Sequence, residues 1–172
     1  MGIEDHYKRS VQTSVTNFVY HRSDYLFMKR SSEKEIDPGR LNGIGGRLEP
    51  GEDYLSAAIR ETAEETGYVV IESQIQFCGL MKLVGGYEED WVVAFFKIAV
   101  PDKTIPHGTH TPDGELMWLP ADSVLGSGFE LVDDLHYCFE DVVKGADQFF
   151  LTVRVNEQHK IVEHSMRRLS VR

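Results

Sequence analysis

Residues 46–68 read GRLEPGEDYLSAAIRETAEETGY and place six acidic side chains on what is otherwise an amphipathic helix pattern. Laid out at about 100° per residue, Leu55, Ile59, Thr62 and Thr66 fall within about 60° of one another and predict a core face. Ala57, Glu61, Glu64 and Glu65 fall on the opposite side, within about 100°. Like charges three and four positions apart repel by a few tenths of a kcal/mol per pair. A solvated acidic face is one account of such a stripe. A cation site is the other, because Arg60 sits beside the carboxylates with a fork able to clamp one of them, and Gly45, Gly46 and Glu52 converge on the same end.

Hard oxygen ligands packed in this way suit Mg²⁺ or Mn²⁺, which take one or two carboxylates and leave the other positions to water and substrate phosphates. A glycine-rich loop running into a helix supplies backbone N–H groups and lets the chain approach a ligand closely. Loop and helix together point to metal-assisted phosphate chemistry.

Outward from the helix, residues 11–21 and 25–30 are rich in β-branched and aromatic side chains and predict a hairpin. Residues 31–46 form a loop with Pro38 and four glycines. Strands are expected at 69–84 and 90–100 around a GGYEE turn, followed by a loop over 101–114 and a strand end and turn at 115–125. A helix within 131–145 and two closing strands within 149–169 complete the pattern, which predicts a mixed α/β (α+β) sandwich.

At 172 residues, 41% hydrophobic and 27% charged, the composition is that of one globular domain spanning 1–172, large enough to fold without a disulfide or a structural metal. Cys78 and Cys138 form no CxxC pair and read as reduced core thiols. A polar N-terminus and the lack of an apolar run long enough to span a bilayer predict a cytoplasmic protein with no membrane partner. The net charge of −10 disfavours a nucleic-acid polymer as partner and leaves room for a small phosphorylated molecule held through a cation.

Gly46, Glu52, Arg60, Glu61, Glu64, Glu65 and Gly67 stand at the spacing G-x5-E-x7-R-E-U-x-E-E-x-G-U, so residues 46–68 resemble the Nudix box; Thr62 and Tyr68 occupy positions where aliphatics are usual. Resemblance to the Nudix hydrolases implies an α/β/α sandwich around a central mixed β-sheet and divalent-cation-dependent hydrolysis of nucleoside diphosphate derivatives. It implies Glu61 and Glu65 as metal ligands, Glu64 as an accessory ligand or base, and Glu52 as the group that orients the helix, paired with Arg60. It also implies a backbone carbonyl of Gly45 or Gly46 as a ligand. Glu115 is a further candidate base or ligand, with a solvated loop acid as its alternative.

The flanks of the box bear on the substrate. Residues 39–52 resemble the corresponding segment of MutT-type 8-oxo-dGTP diphosphatases, which implies that Asn42 reads a purine edge; Asn-Gly is equally a turn signal. Asp133 and Asp134 fall on the acidic pair that contacts the oxidised purine in those enzymes, and by themselves also read as a helix start. Leu131 replaces the stacking tryptophan, leaving Phe27, Phe129 or Tyr137 as stacking candidates. Lys29 matches a pocket-side lysine of the same relatives.

His107 and His110, three apart on a Pro/Gly/Thr loop, read as solvent-exposed or as a metal pair. The expected activity is conversion of a nucleoside triphosphate, an oxidised purine such as 8-oxo-dGTP, to monophosphate and pyrophosphate. ADP-ribose, a nucleotide sugar or a dinucleoside polyphosphate are alternative substrates. A non-catalytic nucleotide sensor is the alternative function, and the chain is expected to be a monomer or a homodimer.

Overall fold

A computed structural model describes residues 9–170. Its centre is β1 (Val11–His21), whose unbroken buried run from Ser14 to Val19 is the mark of a strand covered on both faces. β1 pairs antiparallel with β2 (Asp24–Arg30) through the expected hairpin and parallel with β5 (Asp90–Ala99), so the sheet is mixed. β4 (Ile75–Val84) follows β5, then β8 (Asp147–Val155) and the edge strand β9 (Ile161–Ser170). On the other side of β2 lie β7 (Gly114–Pro120) and the short β6 (His110–Thr111), while β3 (Leu41–Asn42) pairs with β2 off that path.

One helix covers each face. α1 (Tyr54–Thr66) lays Ala57 and Ala58 on Val15, Val19, Leu26, Ala94 and Ile98. α2 (Leu135–Lys144) lays Leu135, Cys138, Phe139 and Val142 on the opposite face. The Phe139 ring lies 5.3 Å from Tyr25, 5.5 Å from Phe27 and 5.7 Å from Phe18, centroid to centroid. Truncating it to alanine would cost about 3–5 kcal/mol, the range for emptying an aromatic site in a close-packed core. The two helices flanking one mixed sheet make the expected α/β/α sandwich. Cys78 and Cys138 are buried and free. Among the described residues, no helix is long and apolar enough to cross a membrane.

Four local expectations change. Residues 69–71 are not strand: Val69 is 87% exposed, the Gln74 side chain accepts the Ile71 N–H at 3.0 Å to close a short 3-10 turn, and the ladder starts only at Ile75. The segment is spent on leaving α1 and reaching the sheet. Residues 115–120 belong to a full strand, since all of β7 pairs with β2. Within the two loops, Leu41–Asn42 and His110–Thr111 form short ladders.

Candidate active site

α1 starts at Asp53, whose side chain accepts the Ser56 N–H at 2.9 Å, and ends at Gly67, which adopts the left-handed conformation with φ 82°. Between these caps the helix is rolled differently from the two opposed faces predicted. Ala57 is fully buried with Ala58, Thr62 and Thr66, whereas Leu55 and Ile59 are only partly covered. Small side chains at 57 and 58 let the helix backbone close on the sheet, and the buried arc then runs through positions 61 and 65. Glu61 and Glu65 therefore point into the protein, while Glu64 is exposed. Thr62 is satisfied in this setting: its hydroxyl accepts from the Asn17 side-chain amide at 3.0 Å and donates to the Ala58 carbonyl at 2.7 Å. Tyr68, the other departure from the box pattern, is buried with its hydroxyl donating to the Asp102 carbonyl at 2.9 Å.

The glycine loop lies flat against β1. Asn17 and Ile44 exchange backbone hydrogen bonds, and the Val15 N–H donates to the Gly46 carbonyl at 2.9 Å. A Cβ on Gly45 would stand 2.9 Å from the Val15 carbonyl carbon, and one on Gly46 would stand 2.7 Å from Cδ of Glu61. Gly45 is pressed against backbone that leaves no room for a side chain, whereas a side chain at Gly46 would have to displace the Glu61 carboxylate. The Gly45 N–H donates to Oε2 of Glu65 at 3.2 Å. Of the two candidate carbonyls, that of Gly46 accepts the Val15 N–H from β1.

Arg60 ties the carboxylates together. Its Nε donates to Glu52 Oε1 at 2.8 Å, and Nη2 donates to Glu52 Oε2 at 2.9 Å and to the Arg47 carbonyl at 3.1 Å. Nη1 donates to Glu61 Oε1 at 2.9 Å and to Glu64 Oε2 at 3.1 Å. This fork holds the Glu52 carboxyl below its usual range, and Glu52 in turn helps keep Arg60 charged. Burial raises Glu61, and burial together with the Glu61 charge pushes Glu65 up to about 8. Among the described residues no three Asp, Glu, His or Cys side chains converge as ligands. The donor set is thus a crowded carboxylate pair beside a backbone carbonyl, which suits a cation that takes its other ligands from water and phosphate.

Glu65, Gly45 and Gly46 share a cavity of about 360 Å³ with Asn42 and Asp134. Asn42 is a turn residue, its Oδ1 accepting the Gly43 N–H at 2.8 Å, and it lines the cavity. The acidic pair divides. Asp133 lies off the cavity wall, with Oδ2 accepting the Ile161 N–H at 3.1 Å and Oδ1 at 3.4 Å from Lys160 Nζ and 3.5 Å from Arg40 Nη1. Asp134 precedes α2 without a side-chain capping bond and lines the cavity, its carboxyl pushed up to about 7 by burial and by the neighbouring Asp37 and Asp133 charges.

Other predicted residues lie elsewhere. Strand alternation turns Met28 and Arg30 to the cavity and Lys29 away, so that Lys29 stands 5.7 Å over the Phe129 ring. Glu115 sits directly opposite Lys29 across β2 and β7, is exposed, and does not reach the box carboxylates. Leu131 is buried and bridged to Leu41, Phe27 is fully buried, and Tyr137 packs on His164, so none of the expected stacking side chains lines the cavity. His107 and His110 do not act as a pair: the His107 N–H donates to the Thr66 carbonyl at 3.1 Å at the end of α1, and His110 pairs with Glu115 in the sheet.

Residues that sequence reasoning missed include Asp37, Asp113, Tyr87, Trp91, Arg30 and Arg47, all in the cavity wall. For Arg30 the signal was the period of two in β2. For Tyr87 and Trp91 it was two aromatic residues following the Gly85–Gly86 turn.

The NUDIX domain family model matches residues 11–139. Among solved structures the chain is similar to the mutator MutT protein of Bacillus halodurans, with 21% identity and a TM-score of 0.76 over 90% of this chain and 97% of that one. It is similar to the MutT protein of Methanosarcina mazei Go1 at 17% identity and a TM-score of 0.63, over 81% and 95% of the respective chains. It is also similar to the NUDIX domain of Shewanella oneidensis NrtR complexed with ADP ribose, at 16% identity and a TM-score of 0.60, over 84% and 92%. At these identities the likeness to the solved structures is one of fold.

Proposed function

The chain belongs to the Nudix family and is a hydrolase of phosphoric anhydrides in nucleotide derivatives, and from that premise we propose that residues 1–172 act as one domain that cleaves a nucleoside triphosphate, preferably an oxidised purine such as 8-oxo-dGTP, in the presence of Mg²⁺ or Mn²⁺. The observation that carries the proposal is one cavity holding both Glu65, crowded by Glu61, and the Asn42 and Asp134 side chains. One end has the chemistry for an anhydride and the other has a donor and a carboxyl for a base edge.

In the reaction a water oxygen bonds to phosphorus, the bridging P–O bond breaks, and monophosphate and pyrophosphate leave. A bound divalent cation would neutralise charge on the phosphate oxygens. Glu61, Glu65 and the Gly45 carbonyl would hold it, with Glu64 the accessory carboxylate at the exposed edge. Glu52 and Arg60 fix the angle of Glu61, and a carboxylate of this group accepts the proton of the attacking water. Asn42 donates its amide N–H to the base. Asp134, its carboxyl pushed up to about 7, offers an O–H to a ring acceptor in its protonated form and accepts from ring N–H groups in its ionised form.

ADP-ribose is the second substrate reading, since a solved Nudix domain of similar fold holds it. A panel of 8-oxo-dGTP, dGTP, dCTP, ADP-ribose, a nucleotide sugar and a dinucleoside polyphosphate, each with and without Mg²⁺, separates the two. Metal-dependent pyrophosphate release, fastest from 8-oxo-dGTP, is expected. Turnover confined to ADP-ribose, sugar or dinucleoside substrates would overturn the triphosphate proposal.

A further inference from the structure

Among the described residues, two aromatic rings line the cavity, and they are not equivalent. Trp91 is covered by the Arg47 guanidinium at 5.0 Å from the ring centroid. Tyr87 lies in the β4–β5 turn and lines the same cavity, and the His159 ring is stacked on it at 4.0 Å with an interplanar angle of 12°. His159 stands at φ 59° in the β8–β9 turn, whose Asn156 carbonyl accepts the His159 N–H at 2.9 Å. The two turns are pressed together, since a Cβ on Gly86 would stand 2.6 Å from Val155 Cγ2. Arg9 adds a brace: it donates to the Tyr87 carbonyl, and its Nε donates to Asp90 at 2.9 Å.

An aromatic ring held from behind by a second ring, anchored through its own carbonyl and set in a cavity wall shared with Asn42 and Asp134 is built as a platform rather than as core filling. We propose that Tyr87 is the stacking platform for the nucleotide base, taking the role left vacant by Leu131, and that His159 is a positioning residue that holds its ring. A tyrosine hydroxyl is protonated at neutral pH and is available as a donor, and burial pushes this one up further, to about 12. The proposal deepens the function proposed above and rests on it for the presence of a base in the cavity. It predicts a preference for ligands with a large flat base and little discrimination in the sugar phosphate.

The test uses binding rather than turnover. Titration calorimetry in metal-free buffer compares 8-oxo-dGMP, dGMP and deoxyribose 5-phosphate on the wild-type chain and on Tyr87→Leu, Tyr87→Phe and His159→Ala. Base–aromatic stacking at exposed platforms implies that Tyr87→Leu weakens both purine monophosphates by about tenfold. Tyr87→Phe should bind the purines within about threefold of wild type, and His159→Ala should fall between the two. Deoxyribose 5-phosphate should bind all four proteins alike, which also reports that the variants are folded. Equal loss of affinity for purine monophosphate and deoxyribose 5-phosphate in Tyr87→Leu, or no loss for either, would overturn the platform. A wild type that hydrolyses no triphosphate yet loses purine affinity on Tyr87→Leu would retain the platform and discard the reaction.

Discussion

The two ends of the cavity are built on different plans. At the anhydride end, Glu52, Glu61 and Glu64 come from one loop and one helix and are bound to Arg60 at 2.8–3.1 Å through its single guanidinium, with Glu65 beside them accepting the Gly45 N–H at 3.2 Å. At the base end, Asn42, Tyr87 and Asp134 come from three separated segments and meet only because the sheet brings their loops to one rim. A short local device tolerates distant change, whereas an assembled one can be retuned piece by piece. Substitutions should therefore act as near all-or-none at the first end and as graded shifts of preference at the second.

The largest effect tests the first half of that contrast. Glu61→Gln and Glu65→Gln each keep the side-chain volume and remove a charge, and each should lower kcat by about a thousandfold or more while the melting transition remains cooperative. Near-normal turnover in either variant would remove that residue from the metal set. An intermediate effect tests the base end: Asn42→Ala should raise KM by about fivefold for purine triphosphates and less for dCTP, the scale of one lost hydrogen bond. An equal rise for both would confine Asn42 to its turn.

The smallest effect concerns stability. Asp134 has a folded pKa of about 7 against an ordinary 3.8, so between those values the unfolded chain releases a proton that the folded chain retains. Stability linked to this group is fully present below pH 3.8, is lost as pH rises towards 7, and changes no further above it. Asp134→Asn should match wild type in urea midpoint near pH 4 and exceed it increasingly up to pH 7. A gain independent of pH would mean that burial of this carboxyl is not what the asparagine relieves.

How far these ends could be foreseen follows from the same contrast. The box was legible because its parts are neighbours in sequence, and helical spacing placed Glu61, Glu64 and Glu65 together. It did not give the direction of roll: a wheel fixes angles between side chains, not which arc meets the sheet, and Ala57 was assigned to the wrong side because it is small enough to suit either. Resemblance singled out Asn42, Asp133 and Asp134; Asn42 and Asp134 line the cavity, whereas Asp133 is engaged by Ile161, Lys160 and Arg40. Tyr87 was hidden in a turn whose glycines read as punctuation. Lys29 failed by one residue, since alternation along β2 depends on a register that neighbouring strands set.

One feature of the anhydride end limits how the substrate can be held. An arginine has five N–H donors, and Arg60 makes five hydrogen bonds, to Glu52 twice, Glu61, Glu64 and the Arg47 carbonyl. Its donors are saturated before any ligand arrives, so its positive charge is internal wiring and not a phosphate clamp. Among the described residues, the cations that line the cavity and could meet a polyphosphate are Arg30 and Arg47. A lysine at position 60 would preserve the charge and bring three donors to five acceptor atoms, so the carboxylates would lose their common hinge.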